Sequence, residues 1–538
     1  MTHAAEYWLR FPDGSPDRWD VRQAGRSWEI SFPNSGRISI DTANPRIEFD
    51  GEFAKDRDSS RLWANSLRYL VPILGSGDVD TVWTLVNQLR VHLAKDPRGE
   101  DGQFSGSLDH QYALILRTLC ELRAWLVANA SEVDERKEKE AVLRECVDRI
   151  YSHVGTLGLL RPNNHGVMLA ISMLHSSHMF QEAGAGERQE KVSKFLLDTL
   201  NEVLGRDGVA NENTPVYQAF YVKLLESIAD FQMWAHGSVK PEFAELHDLA
   251  TKAYRRMLLP NRAVPPLGDA SYSQQSAFSP LLGLWCSKEN GLLVSSNERT
   301  YFSFISGYRG VFHKQLDDSS VFLWHNGDAL IQDAGLVSYD SQNDVAVAAR
   351  GQLGHSGVFF KEYDALRAEK VIAYGPRTRQ VSAGIDLRKS NAPFDFQVLG
   401  TYAYGGVRVD RTVTWVDPKH FMLRDSVSSK GDAKTPVSRF LLDPSASVEI
   451  TGKGVVVIRT PRAWMTLTSS LGNVDVEVVR GVRRKPGLPA GFLAPKNYQS
   501  TPTTMLEFPI PLNEDQSGKQ LFRVTFGSVE DPVQSWAS

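Results

Sequence analysis

The sequence predicts an α+β multidomain protein, a bundle or ring of paired helices in its N-terminal part followed by an antiparallel β-sandwich. Two observations predict it. Between about Ser60 and Ser287, apolar residues recur at helical spacing, interrupted by short segments carrying Gly, Pro, Asn or Asp. Beyond Lys288-Glu-Asn-Gly291 the apolar residues alternate, Val, Thr and aromatics dominate, and Gly and Pro punctuate short runs. The expected organisation is an N-terminal arm or a few short strands over 1–55, a helical domain over 56–295 and a β-sandwich over 296–538.

Taken in order, Trp28-Glu-Ile-Ser-Phe32 and Ile38-Ser-Ile40 alternate like strands of the arm. Leu62, Trp63, Leu67, Tyr69, Leu70 and Ile73 recur at helical spacing, and the run from Val82 to Leu93 repeats the pattern. Further helical stretches cover 110–128, 134–152, 166–181, 189–204, 215–235 and 242–258. Short connections between them imply antiparallel pairs, arranged as a bundle or a ring. In the second part, Ser320–Trp324 and Ala329–Asp333 flank His325-Asn-Gly-Asp328. Asn-Gly supplies the positive φ angles of a type I′ turn, so this is a hairpin. Val407–Trp415, Ser447–Ile458 and Phe522–Phe526 continue the strand pattern, and many short strands with Gly and Pro turns imply a sandwich.

The 538 residues are 42% hydrophobic and 23% charged, as in globular proteins with a large core. A formal net charge of −4 gives no basic field for nucleic acid, so an acidic ligand must be met by local cations. Cys120, Cys146 and Cys286 lack metal-ligand spacing and read as buried apolar residues rather than a disulfide framework. No run is long enough to span a bilayer, so no membrane insertion is expected. The segment Met1-Thr-His-Ala-Ala-Glu-Tyr-Trp8 has neither the basic nor the apolar region of an export signal. As the sequence stands the expectation is a cytoplasmic protein, or a periplasmic or secreted one if such a signal has been removed. Oligomeric state is left open.

Three polar clusters stand out. Arg161-Pro-Asn-Asn-His-Gly166 opens a helical stretch, where carboxamides, an imidazole and a positive helix end suit a carboxylate. An ordinary helix cap is the plainer reading, and Asn163 is its natural residue. Asn211-Glu-Asn-Thr-Pro-Val-Tyr217 offers Asn213 or Thr214 as a cap, Pro215 in the first turn, Tyr217 near the helix start and Glu212 just outside it. The plainer reading packs Tyr217 on the core and leaves Glu212 solvated. Gly307–Asp318 gathers Arg309, His313 and Lys314, shortly before the hairpin that ends in Asp333-Ala-Gly-Leu-Val-Ser-Tyr339; His355 follows in Gly351-Gln-Leu-Gly-His-Ser356.

Asn-His-Gly at a helix start, then Glu-x-x-x-x-Tyr, then His followed by Asp-Asp-Ser and a strand pair ending Asp-x-Gly resemble the heparinase II/III-type polysaccharide lyases. The resemblance runs in the same order from about residue 60 onward. It implies an α/α toroid followed by an antiparallel β-sandwich, and β-elimination at a uronic acid of an acidic polysaccharide, glycosaminoglycan-, alginate- or capsule-like. By similarity, Asn164 and His165 hold the uronate carboxylate, Tyr217 protonates the leaving oxygen, and His313 or Tyr217 takes the C5 proton. Asn163, Glu212, Arg309 and Tyr339 are the further substrate contacts expected. Arg161, Lys314 and Arg350 are additional cations that could meet a polyanion, and Trp63, Trp83, Trp125 and Trp234 either stack on sugar or pack between helices. No cofactor is required. Some members hold a metal through a histidine two places after the His313 equivalent, an aspartate and a later histidine. Gln315 stands at the first of these positions and is a poor zinc ligand. Asp333 and His355 are therefore expected to be structural, or at most parts of a weak site. Two other functions fit the same residues: a non-catalytic polysaccharide-binding or assembly protein, and a glycoside hydrolase using Glu212 and Asp269 as paired acids.

Overall fold

The computed structural model describes residues 20–32, 36–47, 49, 58–95, 108–129, 133–181, 185–271, 275–368, 382–430, 434–452, 454–472, 475–483, 487–496 and 499–534. The segment Met1–Trp8 and much of the expected arm lie outside them. The fold class is the expected one, an α/α toroid of paired helices followed by the antiparallel sheets of a β-sandwich. The chain forms two compact units, residues 1–203 with 223–247 and residues 204–222 with 248–538. Element type changes near 283, where the first strand of the second part begins, whereas the compact units divide inside the later helices.

In the first unit, β1 (Asp20–Ala24), β2 (Ser27–Ser31) and β3 (Arg37–Asp41) form an antiparallel meander. The Trp28 indole donates to Asp78 Oδ2 at 2.8 Å, tying the meander to the residue that caps the third helix. The helical run expected over 62–73 is two helices, α1 (Asp58–Asn65) and α2 (Leu70–Gly75). Leu67 adopts φ +58° between them, which no continuous helix allows, and the buried Arg68 turns to Glu121 with contacts of 2.8 and 3.0 Å. Next come α3 (Val79–His92), α4 (Leu108–Asn129), α5 (Val133–Leu157), α6 (Asn164–Phe180) and α7 (Ala185–Leu204). Helix α4 packs on α5 and α6. Consecutive residues of α6 are buried from Gly166 to Ser177, as expected of a helix covered on all sides. Cys120 and Cys146 are buried and free, as read from the sequence.

Helices α8 (Pro215–His236) and α9 (Pro241–Met257) belong to both units, and the first two turns of α8 stand in the second. There β4 (Gly283–Ser287), β5 (Leu292–Ser296), β6 (Thr300–Ile305), β7 (Ser320–His325) and β8 (Asp328–Ile331) form a five-stranded sheet in sequence order. The expected hairpin is its last turn, with Asn326 at φ +50° and Gly327 at φ +103°. A short helix α10 (Asp344–Arg350) and β9 (Val358–Phe360) lead to β10 (Ser382–Ala392), β11 (Asp395–Tyr404), β12 (Val407–Asp417) and β13 (His420–Ser429). These are followed by β14 (Pro436–Leu441), β15 (Ser447–Thr451), β16 (Val455–Arg459), β17 (Ala463–Ser469), β18 (Glu477–Arg480), β19 (Thr504–Pro509) and β20 (Ser517–Ser528). The large sheet runs β10-β11-β12-β13-β20-β17-β16-β15, and a smaller one β18-β19-β14-β9. Val407, Val409, Val413 and Trp415 are buried on β12; Val413 and Trp415 share a core with Phe302, Phe440 and Phe508, and Val407 and Val409 one with Phe360 and Tyr402. Trp415 stacks on Phe421 at 4.6 Å and meets Phe302 edge-on at 5.3 Å.

Candidate active site

The second unit gathers its polar side chains around one imidazole. His313 lies on the loop before β7, at φ +55°. The loop is fixed from behind by Asn213, itself at φ +58°, whose amide donates to the Gly310 and Phe312 carbonyls at 2.9 and 2.8 Å. Asn213 is thus committed to the loop, and the cap of α8 falls to Thr214, whose hydroxyl accepts from the Val216 amide at 3.4 Å. Lys314, a candidate for polyanion contact, points inward instead. Its ammonium is buried between Asp317 and Asp318, the latter at 3.2 Å. That removes it from the cations a polyanion could reach.

His313 Nδ1 is 2.8 Å from Asp269 Oδ2, a carboxylate with no exposed side-chain surface. Gln315 Nε2 donates to the other oxygen, Oδ1, at 2.7 Å. On the opposite edge of the ring, Glu212 Oε2 lies 3.3 Å from Nε2. Glu212 is buried rather than solvated, and its Oε1 accepts from the Tyr221 phenol at 2.9 Å. Tyr217 stacks on the imidazole with centroids 3.8 Å apart and planes at 21°. Its hydroxyl is 3.5 Å from that of Tyr339, which is also 3.3 Å from His313 Nδ1. Burial, reinforced by the charges of Asp269 and Glu212 against the Tyr339 hydrogen bond, pushes the Tyr217 phenol up to about 12. Burial and the same Asp269 charge push Tyr339 up as well, and burial followed by Glu212 does so for Tyr221. Tyr217 is therefore a neutral phenol at ordinary pH, with a proton to give.

Arg309, expected to touch substrate, lays its guanidinium beside Gly205 and donates from Nη2 to the Val209 carbonyl at 2.8 Å. The Arg350 guanidinium lies 5.8 Å from the Tyr339 ring centroid. Asp333 and His355 pair in the core, Oδ2 to Nδ1 at 2.8 Å, and Asp333 Oδ1 accepts from the Gly335 amide at 3.1 Å. Burial would lower the His355 pKa, but the Asp333 charge and hydrogen bond outweigh it and raise it. Gln315 uses its amide on Asp269, and Asp333 uses both oxygens on the protein. His355 Nε2 is the one donor atom of this trio left open to an ion, besides the Gln315 carbonyl oxygen. Among the described residues no group of three or more His, Cys, Asp and Glu is placed to hold a metal ion. This donor set does not fit a zinc ion, and no reaction step below is routed through one.

In the first unit, Asn163 is the N-cap of α6, its Oδ1 accepting from the Gly166 amide at 2.9 Å. Asn164 Oδ1 accepts from the His165 amide at 3.0 Å. His165 Nδ1 stands 3.3 Å from the buried Asp109, and its ring is 5.1 Å from that of His110, which Trp63 meets edge-on at 6.5 Å. Burial would raise the Asp109 pKa, yet the hydrogen bond and charge of His165, with help from Arg161, hold it below the usual carboxylate range. Burial and the neighbouring His165 charge push His110 down to about 4, so that ring is neutral. Gly166 makes this helix start possible, because a Cβ there would sit 1.9 Å from the Arg161 carbonyl oxygen. Gly166→Ala is expected to destabilise the protein by about 1–3 kcal/mol, read as a lower denaturant midpoint.

Sequence reasoning missed Asp109, His110 and Tyr221 altogether. It named Asp269 only as a hydrolase acid and Gln315 only as a lost metal ligand. Tyr221 had one available signal, its position one helical turn after Tyr217.

Residues 283–520 match the model of the heparinase II/III-like C-terminal domain. Over its sheet-bearing part this chain is similar to the heparinase II/III-like domain. No curated protein sequence matches the chain. Among solved structures, a heparan sulfate lyase mutant from Pedobacter heparinus aligns with a TM-score of 0.68 at 12% identity, covering 98% of this chain and 83% of that one. A heparinase III gives 0.68 at 13%, covering 89% and 79%, and another heparinase III gene product 0.66 at 13%, covering 89% and 80%. At these identities the likeness is one of fold, and it extends beyond residues 283–520 into the helices.

Proposed function

We propose that this protein is a polysaccharide lyase, a carbon–oxygen lyase that cleaves a uronic-acid-containing polysaccharide by β-elimination and leaves unsaturated uronate ends. The observation that carries this reading is the stacked His313–Tyr217 pair, an anchored imidazole against a phenol held protonated. The reaction needs one group to take a proton from carbon and another to give one to oxygen. His313 Nε2, the ring nitrogen not bonded to Asp269, takes the C5 proton. The C5–H electrons become the C4–C5 double bond, the C4–O bond breaks, and Tyr217 gives its phenolic proton to the departing oxygen. Glu212 and Asp269, one beside each ring nitrogen, offset the imidazolium charge that develops. A proton α to a carboxylate is acidic only when that carboxylate is neutralised, and the proposed donors are Asn164 and His165. The proposed base and acid are side chains of the second unit, and the steps written here call on no cofactor. Two carboxylates set against the same imidazole make a poor hydrolase pair, which needs acids flanking a sugar bond.

The test is incubation with heparan sulfate, chondroitin, hyaluronan, alginate and bacterial capsules, followed by near-ultraviolet absorbance and product mass. At least one should give rising absorbance and shortened chains carrying unsaturated ends. Shortened chains with saturated ends would establish a hydrolase instead, and binding without shortening a non-catalytic binder. With the substrate so found, Asn164→Ala should lower kcat/KM by about 10²-fold.

A further inference from the structure

Elimination by His313 needs its free lone pair on Nε2, and the imidazole alone has no preference strong enough to guarantee that. Asp269 and Gln315 supply one. The Asp269 carboxylate has no exposed side-chain surface and is met from both sides, by His313 Nδ1 at Oδ2 and Gln315 Nε2 at Oδ1, with the Tyr339 phenol hydrogen-bonded to it as well. A carboxylate only accepts, so it draws the hydrogen to the ring nitrogen it meets; Asp269 at 2.8 Å from Nδ1 is the closer of the two, Glu212 Oε2 standing 3.3 Å from Nε2 while its Oε1 takes the Tyr221 phenol. Gln315 is itself fully buried, and its Oε1 meets no donor among the described residues. Its amide is thus turned with Nε2 toward residue 269.

We propose that Asp269 is a positioning residue that holds His313 in its Nδ1–H tautomer, and that Gln315 fixes Asp269 in the orientation this requires. The proposal rests on the reading of His313 as the base. Kept with its Nε2 toward residue 269, Gln315 also sets what a substitution would do. In Asp269→Asn, the Gln315 amide keeps an oxygen facing it, so the new carboxamide turns its carbonyl to Gln315 and its NH₂ to His313. Nδ1 then becomes an acceptor and the hydrogen moves to Nε2, which can no longer take a proton. Adding Gln315→Glu reverses the preference. The carboxylate introduced by that second change attracts the NH₂ of the new carboxamide, whose carbonyl turns to His313, and the Nδ1–H tautomer returns.

The test uses wild type, Asp269→Asn and the Asp269→Asn/Gln315→Glu double variant, each checked for folding by circular dichroism. Asp269→Asn should lose about 10³-fold or more in kcat with KM changed little. The double variant should regain at least about tenfold of that loss, which is about 1.4 kcal/mol. A merely structural role predicts no such recovery, because the second change adds a buried substitution. The proposal is overturned if Asp269→Asn stays within a few-fold of wild type, or if the folded double variant is no better than the single. Imidazole nitrogen NMR separates this from the functional reading. The His313 signal, assigned by its loss in His313→Ala, should report Nδ1–H in wild type, Nε2–H in the single variant and Nδ1–H again in the double. Those tautomers can be read even if no polysaccharide is cleaved; an Nε2–H signal in the wild type would sink the proposal on its own.

Discussion

Tyr217→Phe should abolish turnover, a loss of about 10³-fold in kcat, while leaving the circular dichroism spectrum and the melting temperature close to wild type. The substitution removes one oxygen and keeps the ring that stacks on His313. Its hydroxyl has only a 3.5 Å contact with Tyr339, so little folding energy leaves with it. The pH dependence carries a sign. A general acid works while it is protonated, and burial plus the Asp269 and Glu212 charges lift this phenol to about 12 from an ordinary 10.0. The decline due to Tyr217 therefore belongs near pH 12, and rates should persist through the range where an ordinary tyrosine ionises. Initial rates from about pH 7 to about pH 11 check this. Full activity in Tyr217→Phe would remove the phenol from the mechanism.

Arg411→Ala should cost about 3–5 kcal/mol of stability. Arg411 and Asp425 face each other across β12 and β13, both without exposed surface, at 2.7 and 2.8 Å. The same guanidinium donates to the carbonyls of Ser319 and Ser356 at 3.1 and 3.3 Å, and Ser438 donates to Asp425. Truncation leaves a buried carboxylate without its cation. Replacing both partners by apolar residues should restore much of the loss, since no charge then remains buried. Urea denaturation of the single and double variants measures this; a double variant as unstable as the single would show that packing, not charge, is at issue.

The fold class was legible because both periodicities are carried by many residues at once. Long segments such as 108–129 and 215–236 keep apolar positions in register over several turns, and strands such as β12 alternate over eleven residues. The break at Leu67 was not legible, since a left-handed leucine between two short helices leaves no mark in an apolar pattern. The Asn-Gly hairpin could be read because its turn chemistry is local. The pairing of His313 with Asp269 could not, because 44 residues separate them and only the fold brings them together. For the same reason Glu212 was legible only as a substrate contact or a solvated acid. Nothing in its neighbours along the chain announces that His313 and Tyr221 will meet it.

The Asp317-Asp318-Ser319 stretch entered as part of a sequence motif and proved to be an anchor. Lys314 is buried between the two aspartates, the Gly307 amide donates to Asp318 at 2.7 Å, and Arg411 takes the Ser319 carbonyl. The loop bearing His313 is thus bolted to the sandwich by ions that have no water to exchange into. To swing the imidazole aside, the chain would have to expose those charges together, a step comparable to opening the sheet itself. The proposed base is therefore preorganised: substrate binding need not order it, and the free energy of that ordering was already met when the protein folded.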